Sequence, residues 1–183
     1  MVSIHVDHAG KLDLGKLERH LEENLAKRQP VYSVVAVIGT TEEGAVDPLV
    51  KILALRQRFQ AKGLSFLVHA DACWDGYFRT MLPRGPEVAT DSATNMAGRD
   101  GGTDGLVPDL ALRVETQEDL SALRYCDSIT VDPHKAGHIP YPSGVLAYRD
   151  GRIRSQITWT APFLSMGSTD DTSIGIYGVE GRY

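Results

Sequence analysis

The feature that most restricts the fold of this chain is a continuous apolar run, rich in β-branched residues, at residues 32–38. Such a run is typical of a strand buried on both faces, as in parallel sheets. Before it, leucines recur at three- and four-residue steps and predict an amphipathic helix over residues 14–27, with Asp13 as its N-cap. Pro30 ends that helix, so a short connection leads from helix to strand.

Two further helices are predicted from capping residues. The first lies between Asp47 and Gly63, because an aspartate can cap it, the proline that follows suits the first helical position and a glycine can end it. The second is shorter and runs through Arg124, where Thr116 and Asp119 have the spacing of a capping box.

Three further short strands are predicted, at residues 64–68, 127–131 and 144–149. Strands that alternate with helices indicate an α/β fold with a mostly parallel sheet and flanking helices. Residues 80–115 are polar and rich in glycine and proline, which predicts a long surface excursion between the second and third strands.

Composition restricts the class of protein. A chain of 183 residues, 42% hydrophobic and 23% charged, is expected to form one soluble domain with a sizeable core. Its net charge of −5 argues against a nucleic-acid partner. No apolar run reaches the ~18 residues of a membrane span, and no signal-peptide pattern is found. Two cysteines, Cys73 and Cys126, do not form a disulfide framework, so we expect a cytoplasmic protein.

Polar residues follow three of the predicted strands and suggest a site. Thr40 and Thr41 come after the first strand, Asp71 after the second and Lys135 after the third. In parallel sheets, ligands collect at the carboxyl ends of the strands. A lysine amine that forms an imine with an aldehyde, and an aspartate that keeps a pyridine nitrogen protonated, are the two groups that pyridoxal phosphate chemistry needs. We therefore expect Lys135, with a lowered pKa, and Asp71 to bind this cofactor.

Two residues near Asp71 have alternative roles. His69 lies on the same strand face and can orient Asp71 by hydrogen bonding, or it is a packed core histidine. Cys73 can pack against the cofactor ring, or act as a nucleophile as in desulfurases.

Two residues near Lys135 also have alternative roles. His134 either makes a local hydrogen bond to its loop or contacts substrate or cofactor, and Tyr141 is either a packed loop aromatic or a proton donor. The other histidines show no metal-ligand spacing, so no metal site is expected: His5, His8, His20 and His138.

Three motifs taken together resemble the group II pyridoxal-phosphate-dependent amino-acid decarboxylases, at residues 39–48, 69–74 and 132–137. Further stretches are similar to the tyrosine decarboxylase branch of that family, at residues 128–135, 139–144 and 175–181. The resemblance runs from about Ile4 to Gly181, almost the whole chain.

The resemblance implies a fold type I large domain, like that of the pyridoxal-phosphate-dependent transferases, and a dimer with the site near the interface. It implies decarboxylation of an L-amino acid, aromatic in this branch. Lys135 would carry the cofactor as a Schiff base and Asp71 would pair with the pyridine nitrogen. Thr41 would approach the phenolic oxygen, Cys73 would pack on the ring and His134 would lie near the reacting centre.

The chain departs from the family pattern at three points. Cys73 replaces a usual alanine, Asp75 replaces a common glycine, and the excursion at 80–115 is longer than in many relatives. Against the family, residues 1–183 correspond to a partial, incomplete large domain, without the segment that supplies a phosphate cradle and without the small C-terminal domain. We expect a decarboxylase that is weak or inactive alone and works as a homodimer or with a complementing decarboxylase chain. The alternatives are a non-catalytic remnant or interaction module and, last, a desulfurase.

Overall fold

Among the residues that the structure describes, four strands form one sheet, and each strand pairs with the next one along the chain. The computed structural model describes residues 1–82, 112–141 and 143–153. Strands β1, β2 and β3 are parallel, and β4 pairs with β3 in the antiparallel direction, which confirms the mostly parallel sheet. The strands are β1 Ser33–Val37, β2 Leu67–Asp71, β3 Ser128–Val131 and β4 Val145–Tyr148. The helices are α1 Leu14–Ala26, α2 Leu49–Ala61 and α3 Val114–Ala122, with 3-10 helices at Asp75–Met81 and Leu123–Tyr125.

Helix α1 forms where the leucine spacing predicts it. The Asp13 side chain accepts a hydrogen bond from the backbone N–H of Lys16 at 3.0 Å, which confirms its role as N-cap. Leu17 and Leu21 are buried on the core face of this helix. The spacing of these apolar residues therefore determines which face of α1 packs inward.

The sheet buries one face far better than the other. Val34 and Ala36 of β1 and Val68 of β2 are buried in the core, whereas Val35 is 50% and Leu67 42% exposed. The expectation that the first strand is buried on both faces was therefore wrong for the described part of the chain. The run is apolar as the sequence shows, but among the described residues the helices cover only one face of the sheet, the face to which Val34 and Val68 point.

The start of α2 differs from the prediction. The helix begins at Leu49, and the Asp47 side chain does not cap it. The two Asp47 carboxylate oxygens instead accept hydrogen bonds from the backbone N–H groups of Leu12 and Val37, each at 2.7 Å. This buried carboxylate therefore joins the segment before α1 to the end of β1. Burial raises the pKa of Asp47, and these two hydrogen bonds oppose that rise.

Helix α2 is capped from a distant part of the chain. The buried Asp119 of α3 accepts a hydrogen bond from the backbone N–H of Val50 at 2.9 Å. The predicted capping box of Thr116 and Asp119 was wrong, since α3 already begins at Val114 and Asp119 lies inside it. One carboxylate thus fastens two helices together.

Replacing Asp119 with alanine is expected to lower the free energy of unfolding by about 1–2 kcal/mol, because the first turn of α2 loses its side-chain acceptor. Urea denaturation followed by far-ultraviolet circular dichroism measures the change. The matched control is Glu118→Ala, at an exposed neighbouring position. Equal stability of the two variants would contradict the capping role.

Two boundaries also differ from the sequence analysis. Strand β2 begins three residues later than predicted, because Leu64 and Phe66 enter the core before pairing with β1 starts at Leu67. Asp71 is consequently the last residue of β2 rather than a residue after it. The predicted excursion at 80–115 is shorter at both ends, where helices occupy its first and last residues; residues 83–111 lie outside the described ranges.

Candidate active site

The carboxyl ends of β1, β2 and β3 lie at one edge of the sheet because the three strands are parallel. Backbone hydrogen bonds hold the segments that leave this edge together. Ile38 donates to the carbonyl of Asp71 at 2.7 Å, and Asp132 donates to the carbonyl of Cys73 at 3.4 Å. The predicted convergence of polar groups from successive strands at one edge is thus present in the topology.

Lys135 lies in a tight turn after β3. A Cβ atom at Gly137 would come within 2.5 Å of the Pro133 carbonyl oxygen and 2.8 Å of the Tyr77 ring, so only glycine fits there. The Lys135 ammonium forms an ion pair with Asp132 at 2.8 Å and lies 5.0 Å from the centre of the Trp74 ring. This turn therefore fixes the amine at the strand edge.

The charge state of Lys135 is set by two opposing effects. Burial acts to lower the pKa of this ammonium, but the hydrogen bond and charge of Asp132 outweigh burial and raise it. The charge of Asp71 acts in the same direction as Asp132. The lowered pKa was expected for a lysine beside a bound cationic cofactor and stays a prediction. Without a cofactor, the carboxylate of Asp132 stabilises the protonated amine.

Replacing Asp132 with asparagine is expected to lower the pKa of Lys135, because the partner that stabilises the ammonium is removed. Each unit by which this pKa falls raises the neutral amine fraction about tenfold below the pKa. The measurement is the pH profile of borohydride-trapped labelling of Lys135 by pyridoxal phosphate, which should move to lower pH. Asp150→Asn, in the turn after β4, is the control and should leave the profile unchanged. Coincident profiles for Asp132→Asn and the unmodified chain would contradict the ion pair's role.

Asp71 is held by its neighbours through one oxygen. Its Oδ1 accepts a hydrogen bond from the Thr130 hydroxyl at 3.3 Å and from the backbone N–H of Cys73 at 3.4 Å. His69 contacts Ser128 through Nδ1 at 2.7 Å and Thr130 through Nε2 at 3.5 Å. Among the described residues, His69 thus reaches Asp71 through Thr130 rather than directly.

His134 makes the local contact that the sequence allows. Its Nδ1 donates a hydrogen bond to the backbone carbonyl of Ser143, and its Nε2 lies 3.9 Å from the Asp132 carboxylate. Tyr141 packs against the imidazole with 4.2 Å between ring centres and an interplanar angle of 68°. Tyr141 is 75% exposed. The pair thus lies next to the Asp132–Lys135 ion pair, and the catalytic roles of both residues stay predictions.

The two threonines after β1 differ in what they contact. The Thr40 hydroxyl accepts a hydrogen bond from the backbone N–H of Ala45 at 3.0 Å and donates to Glu43 at 3.2 Å, so it shapes the loop. Thr41 is exposed. Its predicted approach to a cofactor oxygen stays a prediction.

Comparison with known proteins tests the resemblance predicted from the sequence. No protein-family model matches the chain. The L-tyrosine decarboxylase of Enterococcus faecium is 33% identical over 184 residues, a match that covers 99% of this chain and 30% of the relative. The resemblance to the tyrosine decarboxylase-like branch of the group II amino-acid decarboxylases is therefore confirmed over 99% of this chain. The chain spans about 30% of the length of that relative.

Solved structures support the same fold. Mouse CSAD in its apo form has a TM-score of 0.59 at 22% identity, with 94% of this chain and 28% of that chain covered. The Oryza sativa TDC with PLP has a TM-score of 0.51 at 21% identity, with 79% of this chain and 23% of that chain covered. The described sheet and helices thus share the fold type I architecture of these decarboxylases, as the sequence predicts.

Pyridoxal 5′-phosphate is the cofactor of this decarboxylase family, and the residues at the sheet edge fit it. Lys135 pairs with Asp132, whose backbone N–H donates to the carbonyl of Cys73. The backbone N–H of Cys73 in turn donates to Asp71, so the amine and the carboxylate lie on neighbouring segments of this edge. Half-buried Cys73 interacts with both the Asp71 and the Asp132 carboxylates. The donor set is therefore the one that a pyridine nitrogen and an aldehyde require.

The environment of Cys73 disfavours a thiolate nucleophile in this decarboxylase-like chain. Burial, and then the hydrogen bond to Asp71, raise the pKa of the Cys73 thiol to about 11. A thiol with this pKa is protonated at neutral pH, whereas desulfuration needs a thiolate. The geometry supports a packing role beside the carboxylates instead.

Iodoacetamide is therefore expected to alkylate Cys73 slowly at pH 7–8. The Asp71→Asn variant should react faster, because the carboxylate that raises the pKa of Cys73 is removed. Mass spectrometry of the Cys73 peptide measures the rate, and Cys126, whose pKa burial raises to about 11, provides an internal reference. Fast alkylation of Cys73 in the unmodified chain would contradict the protonated thiol.

Sequence reasoning missed several residues that shape this site. Asp132 precedes Lys135 by three positions, which is the one local signal that could have suggested the ion pair. Ser128 and Thr130 become visible only through strand register, which places them beside His69 and Asp71.

At the end of β1, Gly39 has a φ of +94° and a Cβ atom there would lie 2.3 Å from the Asp75 carboxyl carbon. Burial raises the pKa of Asp75.

Two negative findings concern only part of the chain. Within residues 1–82, 112–141 and 143–153, no cluster of three or more His, Cys, Asp or Glu side chains is placed to hold a metal ion. None of the helices within those same ranges has both the length and the apolar character to cross a membrane.

Proposed function

We propose that this chain carries the cofactor-linking residues of a pyridoxal-phosphate-dependent enzyme that decarboxylates an L-amino acid. The Lys135 amine is the site of covalent attachment through a Schiff base, and the Asp71 carboxylate is the partner of the pyridine nitrogen. The single observation that carries the proposal is the position of both groups at one edge of a parallel sheet, on segments that are bonded to each other. Lys135 pairs with Asp132, Asp132 donates to the Cys73 carbonyl, and the Cys73 N–H donates to Asp71. When bound, the cofactor supplies an electron sink that lets carbon dioxide leave the α-carbon.

The chain's own residues prepare the site for this chemistry. The Asp132 carboxylate forms an ion pair with Lys135 and stabilises its protonated amine. Asp71, fixed by Thr130, presents a negative charge that favours a protonated ring nitrogen. His134, with Nδ1 engaged by the loop, keeps Nε2 as the nitrogen that can exchange a proton near Lys135. Cys73 packs beside the carboxylates of Asp71 and Asp132.

An aromatic amino acid is the proposed substrate class. The support is the 33% identity to an L-tyrosine decarboxylase over 99% of the chain, and no described pocket residue selects the ring. The test is carbon dioxide release by the chain with pyridoxal phosphate, from tyrosine, dihydroxyphenylalanine, tryptophan, glutamate and aspartate in parallel. Release should be fastest with tyrosine or another aromatic substrate.

The controls decide whether the release is specific. Lys135→Ala should abolish it, whereas Lys27→Ala, at an exposed ion pair after α1, should leave it unchanged. Release that persists in Lys135→Ala would contradict the proposal. Preference for aspartate over every aromatic substrate would contradict the substrate class and leave the reaction type standing.

A second decarboxylase chain is the proposed partner, either another copy of this one or a complementing one. The open sheet face supports this, since Val35 and Leu67 are half exposed there and Tyr32 at its edge is 83% exposed. Light scattering during size-exclusion chromatography should give a dimer mass, or a 1:1 complex when the complementing chain is present. A monomer under both conditions would contradict this assignment. We also propose a cytoplasmic location, because Cys73 and Cys126 are both free thiols, as is usual in a reducing compartment.

A further inference from the structure

Four side chains form a line across the open face of β2 and β3. The strand register pairs His69 with Ser128 and Asp71 with Thr130. Residues paired in this way in a parallel sheet project to the same face, so the four side chains alternate between the strands. The contacts run from Ser128 to His69 at 2.7 Å, from His69 to Thr130 at 3.5 Å and from Thr130 to Asp71 at 3.3 Å.

The protons available on these four side chains determine which partner donates in each hydrogen bond of the line. An ionised carboxylate can only accept, so the Thr130 hydroxyl donates its single proton to Asp71. The protonated Cys73 thiol also contacts Asp71 and Thr130, but as a donor it does not compete for that proton. That hydroxyl can then only accept from His69, which requires a proton on Nε2. A neutral imidazole with a proton on Nε2 accepts at Nδ1, so Ser128 donates there. Every hydrogen bond in the line therefore donates toward Asp71.

The weakest contact lies between His69 and Thr130. A distance of 3.5 Å is long for a hydrogen bond, whereas the Ser128 contact at 2.7 Å is short and strong. Ser128 and Thr130 are both half-buried, which limits competition from water. Catalytic hydrogen bonds are often long without a ligand and tighten when one binds.

We propose that Thr130 is a positioning residue for Asp71, and that Ser128 and His69 fix Thr130 as a donor. The inference rests on the proposed function, in which the Asp71 carboxylate must be oriented toward the pyridine nitrogen of the cofactor. The Thr130 hydroxyl and the Cys73 backbone N–H both engage Oδ1. Both of these hydrogen bonds therefore hold the carboxylate through the same oxygen.

Nitrogen-15 NMR of the histidine-labelled chain without cofactor identifies the tautomer of His69. A His69→Gln spectrum assigns the signals. The expected result is a protonated Nε2 and an unprotonated Nδ1. In Thr130→Val, which removes the hydroxyl at nearly constant shape, the two tautomers should mix, and Thr130→Ser should restore the single form. A dominant Nδ1–H tautomer in the unmodified chain would overturn the inference, because Thr130 would then donate to His69 instead of to Asp71.

A second readout connects the line to the cofactor. Thr130→Val should weaken pyridoxal phosphate binding by roughly tenfold, the scale of one hydrogen bond to a charged group, and Thr130→Ser should recover most of it. Equal affinity in Thr130→Val and the unmodified chain would overturn the positioning role. Failure of the chain to attach cofactor through Lys135, with the Nε2–H tautomer present, would instead contradict the proposed function. The two failures are thereby distinguished.

Discussion

Replacing Lys135 with alanine is expected to abolish covalent attachment of pyridoxal phosphate to the chain. No other described side chain places an amine beside Asp71 and Asp132 at the strand edge. The measurement is mass spectrometry after borohydride reduction, with peptide mapping to locate the modified residue. The unmodified chain should carry one cofactor on the peptide that contains Lys135.

Two variants separate the chemistry from the fold. Lys135→Arg keeps a positive charge beside Asp132 but cannot form an imine, so it should lose labelling without losing stability. Lys27→Ala should keep full labelling. Because the Asp132–Lys135 pair is partly exposed, its loss in Lys135→Ala should cost at most about 1 kcal/mol of unfolding free energy. Labelling that moves to another lysine, or that survives in Lys135→Arg, would contradict the assignment.

Replacing Asp71 with asparagine is expected to reduce turnover by on the order of 100- to 1000-fold, the range seen when one preorganised electrostatic partner is lost. Asparagine has nearly the same shape and can still accept hydrogen bonds from Thr130 and Cys73, so the fold should survive. What is removed is the negative charge that favours a protonated pyridine nitrogen. The measurements are carbon dioxide release and cofactor affinity for the two proteins side by side.

The Asp71→Glu variant completes this comparison. It restores the charge but moves it by one methylene, so it should recover part of the turnover. Thermal unfolding of all three proteins checks that the differences do not come from a lost fold. Turnover in Asp71→Asn equal to that of the unmodified chain would show that Asp71 is a structural residue.

Much of the fold could be predicted because its signals are local. The apolar run of β1 and the leucine spacing of α1 each lie within one element, and Asp13 caps the helix it precedes. Asp47 and Asp119 were misread because their partners are distant. Asp47 binds a backbone group 35 residues away and Asp119 one that is 69 residues away, whereas a sequence pattern assigns each aspartate to the nearest helix.

The candidate site could be predicted in outline for a related reason. A strand followed by a polar residue marks the ligand edge of a parallel sheet, which was enough to bring Asp71 and Lys135 together. The charge balance around Lys135 could not be predicted, because it depends on a 2.8 Å contact with Asp132 that the turn creates. The contact between Thr130 and Asp71 depends on strand register, which no single segment encodes.

The central claim is that the amine of Lys135 and the carboxylate of Asp71 act on one heteroaromatic ring. The most direct test is nitrogen-15 NMR of the chain reduced with pyridoxal phosphate labelled at the ring nitrogen. The expected result is a protonated ring nitrogen at neutral pH in the unmodified chain and loss of that proton in Asp71→Asn. A ring nitrogen in the same protonation state in both proteins would contradict it.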